Sequence, residues 1–196
     1  MEFRETVRQR RMVRNFKNRP VPPDLVVRLL DAARRAPSAG FTQGFAFLVL
    51  EGAEQVDRFW AATFPGPREG FRWPGLFRAP VIVVPCGSKA AYLDRYAEPD
   101  KGWSDKDEAR WPVPFWDIDT AFATMTLLLG ATDAGLGALF FGLFGGLPEL
   151  RTAFGIPPEF TPIGAVAVGW PAPDEPSPSL RRGRRPYDEV VRHGHW

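Results

Sequence analysis

At 196 residues, 44% apolar and 24% charged, the chain has the size and balance of one globular domain with a sizeable core. A net charge of +2 gives no overall field for nucleic acid, and the single cysteine excludes an intrachain disulfide framework and a cysteine-based zinc site. No apolar run nears the roughly 20 residues that span a bilayer, and no apolar leader follows Met1, so the expected location is the cytoplasm, with no membrane partner.

Residues 2–10 read as a short charged helix. Pro22-Pro23-Asp24 opens a second, with Leu25, Val26, Leu29, Leu30 and Ala33 on one face. It stops before Pro37, because the residue preceding a proline avoids the helical region. Phe45–Leu50 reads as a buried strand, 53–63 as a helix and 64–79 as a loop rich in proline, glycine and aromatics. Val81-Ile82-Val83-Val84 is β-branched throughout, as a strand covered on both faces should be. Cys86, at its end, reads as a small buried hydrophobe rather than a nucleophile.

Residues 88–97 look helical, and 98–116 form a polar loop carrying Trp103, Trp111 and Trp116. From Ile118 to Ala134 runs the longest helical pattern, apolar or small on nearly every side, which places it in a core or a subunit interface. Gly135-Leu136-Gly137 caps it. Ala138–Phe144 then reads as a strand, Leu147–Phe154 as a helix and Ile163–Val168 as a strand. Eight prolines between 157 and 186 bar any long helix, so 171–196 is expected to be an extended C-terminal arm. The pattern predicts a single α+β domain over 1–196, helices around a small mixed sheet, associated as a homodimer.

Three segments carry chemistry. Arg10, Arg11 and Arg14 lie near one end, and Arg181, Arg182, Arg184 and Arg185 near the other. Guanidinium forks match phosphate bidentately, which suits a phosphomonoester. Alone, Arg10–Arg14 also reads as a solvated basic edge; a nucleic-acid reading lacks the interleaved aromatics and larger charge it needs. Ala36-Pro37-Ser38-Ala39-Gly40-Phe41-Thr42-Gln43 reads as a polar turn closing a helix, with Ser38 bonding local backbone. Gly135-Leu136-Gly137 followed by Phe140-Phe141-Gly142-Leu143 is compatible with a plain helix cap and strand. It is no dinucleotide fingerprint, since its glycines follow a helix rather than a strand. His193 and His195 have no acidic partner nearby and read as incidental rather than as metal ligands.

Together these segments resemble the nitroreductase family of FMN-dependent NAD(P)H oxidoreductases, over nearly the whole chain. Arg10 to Phe16 resembles the family's Arg-Arg-Ser-x-Arg-x-Phe. The resemblance implies Arg10 on the FMN phosphate and Arg14 beside the flavin N1/O2 edge, with Arg11 and Met12 between them and Met12 in the usual serine position. Ala36 to Phe45 resembles Ala-Pro-Ser-x-x-Asn-x-Gln-Pro-Trp, with Phe41 in place of the asparagine. It implies that Pro37, Ser38, Ala39, Phe41 and Gln43 contact the flavin bound mainly by the other subunit. The loop after the glycine pair implies a backbone N–H to flavin N5 at Gly142, with Leu143 the neighbouring candidate. Arg182-x-Arg184-Arg185-Pro186 resembles the family's closing basic pair, so Arg182 and Arg184 would return to the phosphate. The resemblance implies a dimeric FMN enzyme passing hydride in ping-pong fashion from NAD(P)H to a nitroaromatic, quinone or similar small-molecule acceptor. Its alternatives are an FMN dehydrogenase or biosynthetic oxidase without nicotinamide, and a flavin-binding module without turnover. Phe41, Trp103, Trp111 and Trp116 are the expected aromatic wall facing substrate.

Overall fold

The sheet is organised around β2 (Val81–Gly87), all seven residues of which are buried. Successive side chains in a strand point to opposite faces. Val81 and Val83 therefore join one core with α2 (Pro23–Ala33) and α5 (Phe115–Asp133). Ile82, Val84 and Cys86 join another with α3 (Gly52–Thr63) and α6 (Leu147–Phe154). The result is three layers, with a helix pair on each face of the sheet. The computed structural model describes residues 1–64, 66–68 and 70–196. The expected loop over 64–79 thus includes Pro65 and Glu69, which lie outside the described residues.

β1 (Phe45–Glu51) runs antiparallel to β2, from Phe45 opposite Gly87 to Glu51 opposite Val81. Beyond β2 come β5 (Ala165–Gly169) and then β3 (Gly137–Phe141), both antiparallel, in the order β1-β2-β5-β3. The two-residue β4 (Thr161–Pro162) flanks the far end of β2. Every pairing between these described strands is antiparallel, which corrects the mixed sheet expected from the sequence. One parallel bridge, Met12 to Ala138, adds the N-terminal segment along β3. Pro85 is tolerated inside β2 because its carbonyl accepts from Ile163 N–H (3.0 Å) where β4 gives way to β5, so its missing donor falls in a break of the ladder.

Several strand boundaries differ from the sequence reading, and β2 runs on to Gly87, three residues beyond Val84. β5 starts at Ala165 rather than Ile163 because Gly164 sits at φ 155°, where a Cβ would press to 2.6 Å from the Phe140 ring. β3 in turn stops at Phe141, opposite Ala165, rather than continuing to Phe144. α5 begins at Phe115, three residues before the expected Ile118, with Pro114 directly ahead of it fixing the chain's entry. Its near-uniform apolar character divides in space: Ala123, Leu127, Leu128 and Ala131 are buried, whereas Phe122 and Met125 are exposed. Phe3 and Val7 on α1 (Phe3–Gln9), which contacts α5, are exposed as well.

After β5, residues 171–174 are stitched to the N-terminal segment. Ala172 N–H donates to the Asn15 carbonyl (3.0 Å), and Phe16 and Pro171 form an antiparallel bridge. Beyond them the sequence reading expected extended chain only. The structure adds a 3-10 turn at Pro178–Arg182 and a one-turn helix, α7 (Tyr187–Val190). No helix among the described residues is long and apolar enough to cross a membrane.

α6 starts from Gly146, which is left-handed at φ 70° and whose carbonyl accepts from Leu150 N–H (2.8 Å). A Cβ there would run into the Ala62 carbonyl and approach Thr63 Cα to 2.8 Å. Gly146→Ala is therefore expected to cost about 2–3 kcal/mol and lower Tm by about 5–10 °C, read by thermal unfolding.

Candidate functional site

The basic motif follows α1 as an extended segment. Val13 N–H donates to the Ala138 carbonyl (2.9 Å), Phe16 N–H to Gly75 (3.2 Å) and Lys17 N–H to Trp170 (2.9 Å). Val13 and Phe16 turn into the core, and Arg14 turns to a cavity. Its backbone N–H is held by the Asp174 carboxylate at 2.7 Å. Its guanidinium donates to the Met12 carbonyl (3.2 Å) and lies 5.1 Å from the centre of the Trp73 ring. The side chain's own partners, the Met12 carbonyl and the Trp73 ring, are neutral and leave most of its donors unused. The side chains of Arg10 and Arg11 have no hydrogen-bond or ion-pair partner among the described residues.

The cavity measures about 450 Å³. It opens between the end of α3, the 71–77 stretch and the chain leaving β3. Trp60, Phe64, Phe71, Trp73, Phe77, Phe140, Phe141 and Phe144 form its walls, and Gly142 and Leu143 lie along one side. Arg14 is the one charged residue among the described lining residues. Trp60 and Phe141 stack with centroids 5.5 Å apart and planes 13° apart. The indole N–H groups of Trp60 and Trp73 are buried with no partner among the described residues. Phe144 is fully exposed, and the far end of its ring lies 2.9 Å from where a Cβ on Gly142 would stand, a contact that an exposed ring can relieve by shifting. On the far side of Arg14 and Trp73 a polar pocket of about 280 Å³ gathers Asn15, Arg72, Arg78, Asp174 and Glu175.

The structure thus brings Arg14, Gly142 and Leu143 together, with Arg10, Arg11 and Met12 just before Arg14 on the same segment. Pro37, Ser38, Ala39, Phe41 and Gln43 form a separate turn and do not line this cavity within the chain. In that turn Ser38 Oγ accepts from Gln43 N–H at 2.8 Å, and Phe41 is 75% exposed. Arg182 and Arg184 are exposed on the arm and make no side-chain hydrogen bond or ion pair among the described residues.

One expectation is corrected. Trp103, Trp111 and Trp116 do not wall the cavity; they pack against Tyr92 and Tyr96 of α4 (Lys89–Ala97). Aromatic faces that can stack on one another bury more area doing so than a loop could hold open to solvent. The walls come instead from Trp60, Phe64, Phe71, Trp73 and Phe77 and from the end of β3. Asp119, buried on α5, was also missed: its carboxylate accepts from Ala39 N–H (2.8 Å) and Tyr92 O–H (2.7 Å). Burial, and then this carboxylate, push the Tyr92 hydroxyl far above its ordinary pKa. Burial also raises the Cys86 thiol to about 11, consistent with a packing role. No group of three or more His, Cys, Asp or Glu is gathered among the described residues.

The chemistry of these groups suits a flat, polycyclic ring bearing a phosphate. Aromatic walls offer stacking surface, Arg14 offers polar contacts along its edge, and the unpartnered Arg10 and Arg11 offer charge for the anion.

Comparison with known proteins gives the chain a family and a fold. A model of the nitroreductase family matches residues 7–170. A Methanothermobacter thermautotrophicus protein bearing the name NADH dehydrogenase/NAD(P)H nitroreductase is 27% identical over 176 residues, 88% of this chain and 78% of that one. A Staphylococcus aureus NADPH-dependent oxidoreductase is 27% identical over 95% of this chain and 71% of its own length. Among solved structures, a nitroreductase family protein from Clostridium difficile superposes with a TM-score of 0.72 at 25% identity, covering both chains entirely. A Desulfovibrio desulfuricans protein described as a nitroreductase, in complex with FMN, shares the fold with a TM-score of 0.73 at 23% identity, covering 100% of this chain and 98% of that one.

Proposed function

Because this chain belongs to the nitroreductase family and is an oxidoreductase, we propose that it uses FMN to pass reducing equivalents from NAD(P)H to a nitroaromatic, quinone or similar small-molecule acceptor. The observation that carries this reading is the meeting of Arg14 and Gly142 on the wall of an aromatic cavity. FMN, when bound, supplies a centre at N5 that takes up hydride from one reactant and releases it to the next.

The chain's own residues bind, orient and shield. Arg10, joined by Arg182 and Arg184 from the C-terminal arm, holds the phosphate, with Arg11 and the Met12 backbone beside it. Arg14 faces the pyrimidine edge, where a preorientated guanidinium favours developing negative charge. The Gly142 N–H, or Leu143 next to it, meets N5, since a glycine lets the backbone come close. The aromatic walls stack on the ring and keep water away from it. No side-chain acid or base is required of the chain in this reading.

A homodimer completes the site in this reading. The turn carrying Pro37, Ser38, Ala39, Phe41 and Gln43 would reach the flavin of the partner subunit. The exposed apolar side chains of Phe122 and Met125 on α5, with Phe3 and Val7 on α1, support such an association. Cytoplasmic residence belongs to the same proposal.

Purified protein is expected to carry a flavin absorption spectrum that bleaches when NADPH or NADH is added under nitrogen. Colourless protein that takes up no added FMN would overturn the cofactor assignment. Arg10→Ala is expected to weaken FMN binding about 10- to 100-fold, the worth of a charge-assisted contact, measured by titrating apoprotein with FMN.

A further inference from the structure

The turn after α2 adopts a backbone that its side chains resist. Gly40, Phe41 and Gln43 are all left-handed, at φ 61°, 52° and 52°. For Phe41 and Gln43 that conformation crowds Cβ against the following carbonyl. Such a conformation persists only where its surroundings over-determine it.

The surroundings here are specific. Asp119, 3% exposed, accepts from Ala39 N–H at 2.8 Å and from Tyr92 O–H at 2.7 Å. A buried carboxylate offers only acceptors and needs such donors, so these two bonds fix its orientation. Arg95 Nε donates to the Gly40 carbonyl at 3.0 Å, while its fork grips Asp100 at 2.6 and 2.8 Å. The Tyr96 ring fills the space behind Gly40, where a Cβ would come within 2.8 Å, and packs on Trp103 and Trp111 at 4.9 and 4.5 Å. The tryptophan-rich segment, which has no place in the cavity, is thus a buttress behind the turn.

We propose that Asp119 is a positioning residue, locking the Ser38–Gln43 turn through the Ala39 N–H and so setting the direction in which Phe41 projects toward the flavin site. The lock stands on the contacts above. The destination of Phe41 rests on the FMN reading.

The test compares the full-length protein with Asp119→Asn, which keeps the volume and removes the charge. Hydrogen exchange at the 39–43 amides reports the lock, and the FMN dissociation constant reports its use. Exchange at these amides is expected to rise about 10-fold and FMN affinity to fall about 10-fold. In a Phe41→Ala background, D119N should add less than about 2-fold to the FMN effect, because the two act through one contact; a merely structural loss would add in full. Unchanged exchange in folded D119N overturns the lock. Faster exchange with unchanged FMN affinity, or full additivity with Phe41→Ala, overturns the positioning role. Wild-type protein that binds no FMN overturns the FMN reading and with it the positioning role, and the exchange comparison then decides the lock alone. Should D119N not fold, Arg95→Gln at the outer end of the buttress is expected to move both readouts the same way, by about 3-fold, and the same opposite results overturn the proposal.

Discussion

Phe16→Ala is expected to lower the unfolding free energy by about 3–5 kcal/mol, the cost of deleting a fully buried aromatic ring. That is a large share of the roughly 5–15 kcal/mol that holds a domain folded, and it should lower Tm by about 6–20 °C. Phe16 is completely buried, its ring lies against the end of β5 at Gly169, and its backbone joins the Gly75 carbonyl to the Pro171 bridge. Urea or thermal unfolding gives the number. A loss under about 1 kcal/mol would mean that packing does not hold the arginine segment in place. Arg14 lies two residues away on the same extended stretch, so FMN affinity should fall in parallel.

Arg14→Met is expected to reduce kcat/KM for the reduced nicotinamide by about 100-fold while leaving the protein folded. Methionine keeps the unbranched apolar stem against Trp73 and removes the charge. The magnitude is that of deleting one preorganised electrostatic contact in a site shielded from water. Few other groups could take over, since the rest of the described cavity lining is apolar or uncharged. Arg14→Lys should lose less, about 10-fold, because the charge remains and the planar fork does not. Steady-state kinetics, with rapid-mixing measurement of flavin reduction, checks both. A methionine variant within about 3-fold of wild type would remove Arg14 from the chemistry and leave it as a wall of the cavity.

The legible and the hidden parts of this chain differ for physical reasons. The Val81–Val84 run announced a doubly covered strand because burial on both faces leaves no polar positions, and β2 lies at the centre of the sheet. Strand ends were less visible: β3 stops and β5 starts beside Gly164, whose backbone conformation only the three-dimensional closeness of Phe140 makes necessary. The Arg10–Phe16 motif was readable by its resemblance, and the backbone bonds of Val13, Phe16 and Lys17 give it a fixed place. The aromatic cavity was not readable. Phe71, Trp73 and Phe77 have no periodicity, and their rings meet those of Trp60 and Phe141 only once α3 and β3 are packed. Asp119 did leave a trace, as one of three aspartates in a long and largely apolar helix and the one that the structure buries. A buried carboxylate predicts donors nearby, though not that one of them belongs to residue 39.

The bonding pattern of residues 12–17 also sets an order of events in folding. This stretch takes most of its backbone partners from Gly75, Ala138, Trp170, Ala172 and Asp174, all far along the chain, and few from nearby: the Met12 carbonyl accepts from the Arg14 guanidinium and the Lys17 carbonyl from Arg19 N–H. Closing loops of that length costs entropy that is recovered only when the distant partners are already in place, and such topologies fold slowly. On a ribosome adding about 5–20 residues per second, α2, β1 and α3 emerge and can begin to pair long before the sequence around Trp170 exists. The arginines made first are therefore the part of the site locked down last, and a nascent or truncated chain lacking 170–174 would present them loose and unshielded.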